Sequence, residues 1–142
     1  MRTRVYREQH CMLRTLLENI PAAAESLDEA VVRPSLVRFA GVVRAHLRLE
    51  DEYLYPALFR HDDPSVRHVA RRLRDTWGGL AETFEALYAR WMEPGAIVGR
   101  AAEFLEEWTA FASALRARIE EEDTALFDLL DRLHEEQSAD AR

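Results

Sequence analysis

Residues 36–58 read LVRFAGVVRAHLRLEDEYLYPAL, and this stretch decides the fold class. Its seam positions, the residues predicted to line the buried face, recur at every third or fourth residue. This is the period of one face of an α-helix. The recurring positions are Leu36, Phe39, Val43, His46, Glu50, Tyr53 and Ala57. Because His46 and Glu50 are polar, the buried face of this helix is predicted to carry an imidazole and a carboxylate.

Three further segments show the same helical period, and none shows the alternation of a half-buried strand. They cover residues 6–20, 70–91 and 104–133. Four amphipathic helices joined by short connections predict an all-α protein, an up-down-up-down four-helix bundle. Residues 1–142 are expected to form a single domain, with a frayed tail at residues 137–142.

Proline marks where two of these helices are expected to begin. Pro34 suits the first position of the second helix, since its missing N–H is not needed there. Asp63 is a good N-cap residue, and Pro64 directly after it suits the first position of the third helix. The third helix is expected to continue from there through Gly78-Gly79 to Trp91.

The charge balance excludes several classes of partner. Against 26 Asp and Glu the chain has 19 Lys and Arg, a net charge of −7. Nucleic acids and anionic membranes attract basic faces, so neither is expected as a partner. No apolar run approaches the roughly 18 residues of a membrane span, and a cytoplasmic location is expected. The single cysteine, Cys11, excludes an internal disulfide and a multi-cysteine metal site.

The two halves of the chain resemble one another, as a duplicated helical hairpin would. Leu54-Tyr55 in the second helix superimposes on Leu126-Phe127 in the fourth, and residues 8–20 superimpose on residues 75–87. The repeat also brings the His-x-x-x-Glu spacing of the second helix onto an Arg-x-x-x-Glu spacing in the fourth.

Polar residues interrupt the apolar seams at one level of the predicted bundle. The five positions are His10, His46, Glu50, Arg118 and Glu122. At a rise of roughly 1.5 Å per residue, counting from the loops brings them to similar heights, so they are expected to converge. Burying such groups is costly unless they are paired or bound to a metal ion. Side chains four residues apart share a helix face, so His46 and Glu50 are able to share a cation.

At these residues the chain resembles the hemerythrin-like family, the HHE cation-binding domains. The resemblance rests on EQH at residues 8–10, HLRLEDEYLYPAL at 46–58 and RARIEEEDTALFDLL at 116–130. It implies a four-helix bundle that holds two irons and binds dioxygen or senses redox state. In that pattern the first iron takes one histidine each from the first and second helices. The second iron takes histidines from the third and fourth helices, and two carboxylates bridge both ions.

Carried onto this sequence, the resemblance retains one half of the metal site. His10 and His46 occupy the ligand positions of the first iron, and Glu50 and Glu122 occupy the bridging positions. The resemblance therefore implies at most one bound ion at these four residues. Two histidines and two carboxylates suit Fe or Zn alike.

The other half of the family's site is replaced. Trp77 stands where the third-helix histidine is expected, Ala81 one turn later, and Arg118 where the fourth-helix histidine is expected. An indole does not coordinate iron, and a guanidinium offers only donors. We therefore expect no di-iron site, and we expect Arg118 to supply positive charge to both carboxylates as a fork.

The sequence leaves three classes of function open. The first is a metal-binding or sensing protein that is not an enzyme. The second is a metal-free interaction or regulatory module in which Arg118 neutralises the buried carboxylates. The third and least favoured is a mononuclear non-haem iron enzyme, because no distinct substrate pocket or general base is visible. A small ligand at the core site, a protein partner and a homodimer all remain open.

Overall fold

The computed structural model describes residues 3–20 and 27–140. Within these residues the regular elements are all helical, which confirms the all-α class and is consistent with a four-helix bundle. In chain order they are α1 (Arg4–Leu17), α2 (Glu29–Leu49), the π-helical turn π1 (Glu50–Leu54), α3 (Tyr55–Leu58), α4 (Pro64–Trp77), α5 (Leu80–Trp91), α6 (Ala101–Glu121), the π-helical turn π2 (Glu122–Phe127) and α7 (Asp128–Asp140). The up-down-up-down order of the helices stays a prediction.

These elements group into four long helical stretches. The first is α1, the second runs unbroken through α2, π1 and α3, the third consists of α4 and α5, and the fourth runs unbroken through α6, π2 and α7. Helix α7 reaches Asp140; residues 141 and 142 lie outside the described part, and fraying of the tail at residues 137–142 stays a prediction. None of the described helices is long and apolar enough to cross a membrane.

The start of the second helix differs from the prediction. The Asp28 carboxylate accepts a hydrogen bond from Ala30 N (3.0 Å), so the helix begins at Glu29 and Pro34 lies inside it. A side-chain cap satisfies a free backbone N–H and outweighs the placement that proline alone suggests. The start of the third helix is confirmed, because Asp63 caps Ser65 N (2.8 Å) directly around Pro64.

The third helix is not continuous. Helix α4 ends at Trp77 and α5 begins at Leu80, so Gly78-Gly79 forms a break where a single helix was predicted. A Cβ atom at Gly78 would lie 2.5 Å from the Arg74 carbonyl oxygen, closer than real Cβ atoms approach. The break therefore depends on glycine at this position.

The π-helical turns shift the buried face of the second and fourth helices. Each turn adds a residue to one helical turn, so the seam after Glu50 moves on by one position. Tyr53, predicted in the core, is 63% exposed, while Leu54, Tyr55 and Leu58 are buried instead. A constant helical period in the sequence does not reveal the extra residue of a π-helical turn.

The core consists of two apolar clusters with a polar layer between them. The larger cluster surrounds Phe39, whose ring packs edge-on against Trp108 with centroids 5.1 Å apart. The smaller cluster includes Leu54, Leu73 and Phe127. In the first, second and fourth helical stretches, the buried polar residues lie where the chain passes from one cluster to the other. The buried residues of this layer are His10, His46, Glu50, Arg118 and Glu122.

Candidate metal centre

Four side chains of the polar layer meet at one point in the core. They come from four elements: His10 from α1, His46 from α2, Glu50 from π1 and Glu122 from π2. One donor atom of each residue lies within 4.8 Å of the donor atoms of the other three. All four side chains are at most 1% exposed. The convergence expected from helical spacing is therefore present in the structure.

The π-helical turns start at the two carboxylate residues. Glu50 opens π1 and Glu122 opens π2, and the two turns are counterparts in the sequence repeat. Single π-helical turns inside α-helices are frequent at functional sites. Here the wider turns separate the carboxylates from the apolar residues that follow.

The His10 ring is held from outside the cluster. Its Nδ1 lies 2.7 Å from Asp123 Oδ1, and Asp123 in turn accepts a hydrogen bond from Arg14 (3.1 Å). Phe127 stacks on the ring, with centroids 5.5 Å apart. Because Nδ1 meets a carboxylate, Nε2 is the nitrogen that faces the cluster, 3.3 Å from Glu50 Oε2.

The His46 ring is held in the same manner by an amide. Its Nδ1 lies 2.6 Å from Gln9 Oε1, and a carbonyl oxygen only accepts, so Nδ1 donates the hydrogen. In the neutral ring Nε2 then carries a lone pair. This Nε2 is buried and has no hydrogen-bond partner among the described residues, although Glu50 Oε2 lies 3.2 Å away.

Each carboxylate keeps one oxygen toward the histidines and one away from them. Glu50 Oε1 accepts from Arg118 Nη2 (3.0 Å), which leaves Oε2 facing His10 and His46. Glu122 Oε2 accepts from Tyr55 Oη (2.7 Å) and Arg118 Nε (3.2 Å). Glu122 Oε1 lies 3.1 Å from His10 Nε2 without a hydrogen-bond partner.

Arg118 is buried between the two carboxylates, and the expectation that it pairs with both is confirmed. It also binds Asp51 Oδ1 through Nη2 (2.9 Å) and the Trp77 carbonyl oxygen through Nη1 (3.2 Å). Its guanidinium is thus bonded on three sides to oxygen acceptors. A buried guanidinium with this many charged partners is a fixed cation of the site.

Two of the residues that replace family ligands lie at the edge of the layer. Trp77 is half-buried, and its indole Nε1–H donates to Glu121 (3.0 Å), so it reaches Arg118 only through its backbone carbonyl. Ala81 is half-buried and lines a cavity of about 280 Å³ together with Asp51. Neither side chain adds a ligand to the cluster.

Proton affinities in the cluster follow from burial and charge. Burial alone lowers the pKa of His10, but Asp123, Glu122 and Glu50 outweigh it and raise the pKa to about 11. Burial and the Glu50 charge raise the pKa of Glu122 to about 7. Burial opposes ionisation of Glu50, yet His10, His46 and Arg118 hold its pKa well below the usual range. Without a metal ion, the cluster is therefore stabilised by a proton on His10.

Several residues that shape the site were not predicted from the sequence. Asp123 flanks the apolar seam, where acidic residues are typical of a solvated face, but its side chain is largely buried and its Oδ1 lies 2.7 Å from His10 Nδ1. Gln9 and Tyr55 were not singled out. The signal for Asp123 was present in the repeat, which pairs it with Asp51, the residue that follows the other carboxylate.

The fold and this site define a helical protein with a buried cluster of histidine and carboxylate. The family model of the Hemerythrin HHE cation binding domain matches residues 1–130. The chain therefore belongs to the hemerythrin HHE family, as its sequence resemblance predicted. Comparison with curated proteins and with solved structures gives no significant match.

The residues present fit one cation. Metal-bound histidines characteristically donate their second ring N–H to a carboxylate or carbonyl group, as His10 and His46 do toward Asp123 and Gln9. Two buried atoms of the cluster have no hydrogen-bond partner among residues 3–20 and 27–140, and both are of the type that binds metals. The second-iron half supplies a guanidinium in place of ligands, and it does not fit a cation.

Proposed function

We propose that this protein binds one divalent metal ion, Fe or Zn, in the bundle core and serves in binding or sensing rather than catalysis. His10 and His46 would hold the ion through Nε2, with one oxygen each from Glu50 and Glu122. The observation that carries the proposal is the pair of buried, unpartnered atoms, His46 Nε2 and Glu122 Oε1. An ion bound there satisfies both. In a metal-free core His46 Nε2 stays unpaired at a cost of about 1–3 kcal/mol, and Glu122 Oε1 depends on a proton on His10 Nε2, 3.1 Å away.

The guanidinium of Arg118 supports one ion rather than two. It already supplies a positive charge to Glu50 and Glu122 at 3.0 and 3.2 Å, on the side away from the histidines. A second cation there would meet this charge at short range in a buried site, where charge repulsion is weakly screened.

The chain's own residues have defined roles toward the ion. When bound, the ion supplies a localised positive charge that binds oxygen or nitrogen donors. Asp123 and Gln9 fix the ring orientations and the tautomers of His10 and His46. Tyr55 and Arg118 fix the carboxylates, and the surrounding apolar clusters exclude water.

The test is metal content per chain, measured by elemental analysis after anaerobic loading with Fe(II) or Zn(II) and removal of excess metal. We expect about one ion per chain, in line with the single set of four donors. The variant His46→Leu is expected to lose the ion, and His68→Leu, at an exposed position of α4, is the matched control. A parent protein that retains no metal, or retains two irons per chain, contradicts the proposal.

A metal-free interaction module is the second candidate, and a specific observation favours it. His10 Nε2 lies within 3.3 Å of both carboxylates and carries a raised pKa, so a proton on His10 is able to take the place of the ion. In that case the folded protein contains no metal, and a chelator leaves its thermal unfolding midpoint unchanged. A metal-binding site predicts a lower midpoint after chelation.

A further inference from the structure

Each of the two carboxylates has one oxygen that points away from the histidines. The hydrogen bonds of these two oxygens limit which ion the site accepts. A carboxylate is able to bind a metal through one oxygen or through both. Glu50 Oε1 is bonded to Arg118, and Glu122 Oε2 is bonded to both Tyr55 and Arg118. Neither carboxylate is therefore free to offer its second oxygen without breaking a buried hydrogen bond.

The two aspartates next to the carboxylate ligands are engaged elsewhere. Asp51 is bonded to Arg118, and Asp123 is bonded to His10 Nδ1 and Arg14. The Tyr55 hydroxyl is likewise engaged, because it donates to Glu122 Oε2 at 2.7 Å. Among the described histidine, cysteine, aspartate and glutamate side chains, the four already named are the ones whose donor atoms lie within 4.8 Å of one another.

We propose that Arg118 and Tyr55 act as positioning residues that restrict this centre to four protein donors, which makes it a closed, four-coordinate site suited to zinc(II). The inference rests on the proposed function, since it presupposes that one ion binds. Zinc(II) accepts four nitrogen and oxygen ligands without a preference from d-electrons, and closed four-ligand sites are typical of structural zinc. Iron(II) centres that react with dioxygen keep open coordination positions.

The burial of the site agrees with a closed centre. The side chains of His10, Glu50 and Glu122 have no exposed surface, and His46 is 1% exposed. Phe127 covers the His10 ring. The cavity beside Ala81 is lined by Asp51 and by none of the four ligands, so it does not open onto the donor atoms.

Coordination number is the decisive measurement. The parent protein, loaded with one Zn(II), is examined by X-ray absorption spectroscopy, and the Co(II)-substituted protein by its visible spectrum. We expect four nitrogen and oxygen neighbours and the intense visible bands of four-coordinate Co(II). Five or six neighbours in the parent protein overturn this inference and leave the proposed one-metal function standing. Failure to bind either ion overturns both.

Two variants test the roles of Arg118 and Tyr55. Arg118→Gln removes the charge that holds Glu50 Oε1, and Tyr55→Phe removes one hydroxyl that holds Glu122 Oε2. Arg118→Gln is expected to raise the coordination number, and Tyr55→Phe is expected to raise it less, because Arg118 Nε still binds Glu122 Oε2. Each is also expected to reduce the preference for Zn(II) over Fe(II) on the order of tenfold, as for other supporting residues of metal ligands.

Because zinc outbinds iron(II) at most sites, the readout is the change in preference relative to the parent. Arg116→Gln and Tyr53→Phe, at exposed positions beside the two residues, are the matched controls and should change neither quantity. Folding is checked by circular dichroism, and Tyr55→Phe carries the test where Arg118→Gln does not fold. Folded variants with the parent's coordination number and preference overturn the assigned roles.

Discussion

The two sides of the polar layer share one sequence pattern but hold different groups, an imidazole on one side and a guanidinium on the other. On the side of His10, which we term the histidine side, Asp123 binds the imidazole and Phe127 stacks on it. On the other, which we term the arginine side, the counterparts are Asp51 and Tyr55. There Asp51 binds the guanidinium of Arg118, whose Cζ lies 5.6 Å from the Tyr55 ring centre.

The comparison shows how a guanidinium takes the place of a bound metal ion on one side of the layer, while the other side keeps atoms that are able to bind one. The histidine side has atoms without partners, His46 Nε2 and Glu122 Oε1, whereas the arginine side saturates its oxygens with guanidinium hydrogens. A buried guanidinium keeps its proton, so the charge on this side is permanent. Only the histidine side is left able to exchange a proton for a metal ion.

The largest expected effect comes from rebuilding the arginine side. The double variant Trp77→His/Arg118→His replaces a bulky residue and a cation with two imidazoles beside carboxylates already in place. We expect metal content to rise from about one to about two ions per chain, with weaker binding of the second because Ala81 adds no ligand. Metal content per chain is measured on protein shown to be folded by circular dichroism. A folded double variant with the parent's metal content would sink the comparison of the two sides.

Removal of the built-in cation is next in size. Arg118→Ala leaves the buried Glu50 and Glu122 carboxylates without their partner, and we expect a loss of about 3–5 kcal/mol in the free energy of unfolding. Chemical denaturation of the metal-free protein measures it. The exposed Arg116→Ala should change stability by less than about 0.5 kcal/mol. An equally small effect for Arg118 would contradict its role as the charge of this side.

The two aspartates of the repeat provide a matched pair. Asp123→Asn weakens the support of His10, so we expect metal affinity to fall by about 10–100-fold. Asp51→Asn touches only the arginine side and should leave metal affinity within about threefold. Competition titration with a chelator compares the two variants. Equal losses would show that the two sides are coupled rather than distinct.

A pH dependence of opposite sign with and without metal is a further expected effect. In the metal-free protein the pKa values of His10 and Glu122 are raised from 6.5 to about 11 and from 4.5 to about 7. A raised pKa stabilises the fold below the unfolded-state value and loses that contribution as pH rises through the folded value. The contribution of Glu122 is therefore expected to be lost between pH 4.5 and about 7, and that of His10 between pH 6.5 and about 11.

In the metal-loaded protein the sign reverses, because the ion competes with protons for the same atoms and binds more tightly as pH rises. Thermal unfolding across this range, with and without chelator, measures both slopes. Identical slopes under the two conditions would contradict metal binding at His10 and Glu122.

Most of the site's residues follow from periodicity in the sequence. His10, His46, Glu50, Arg118 and Glu122 break apolar seams of period near 3.6, and the heights of these breaks predict that they meet. The all-α class follows from the same pattern. Periodicity succeeds here because a helix carries its register in its own sequence, independent of its neighbours.

Irregularities of the backbone could not be predicted from helical periodicity. The break at Gly78-Gly79 and the turns π1 and π2 change the register locally, so Tyr53 is exposed while Tyr55 is buried. The break depends on glycine at position 78, whereas the periodic pattern of the sequence gives no sign of either π-helical turn. The second helix begins earlier than predicted, at Glu29, for a local reason: the Asp28 side chain caps it ahead of Pro34.

The sequence alone therefore determined which residues occupy the polar layer and that one half of it lacks metal ligands. Only the tertiary structure decided which oxygen of each carboxylate faces the histidines, because hydrogen bonds from Tyr55 and Arg118 select it across different helices. It likewise decided that Asp123 supports His10. Spacing along one helix sets a side chain's face, whereas the partner of each atom depends on distances between helices.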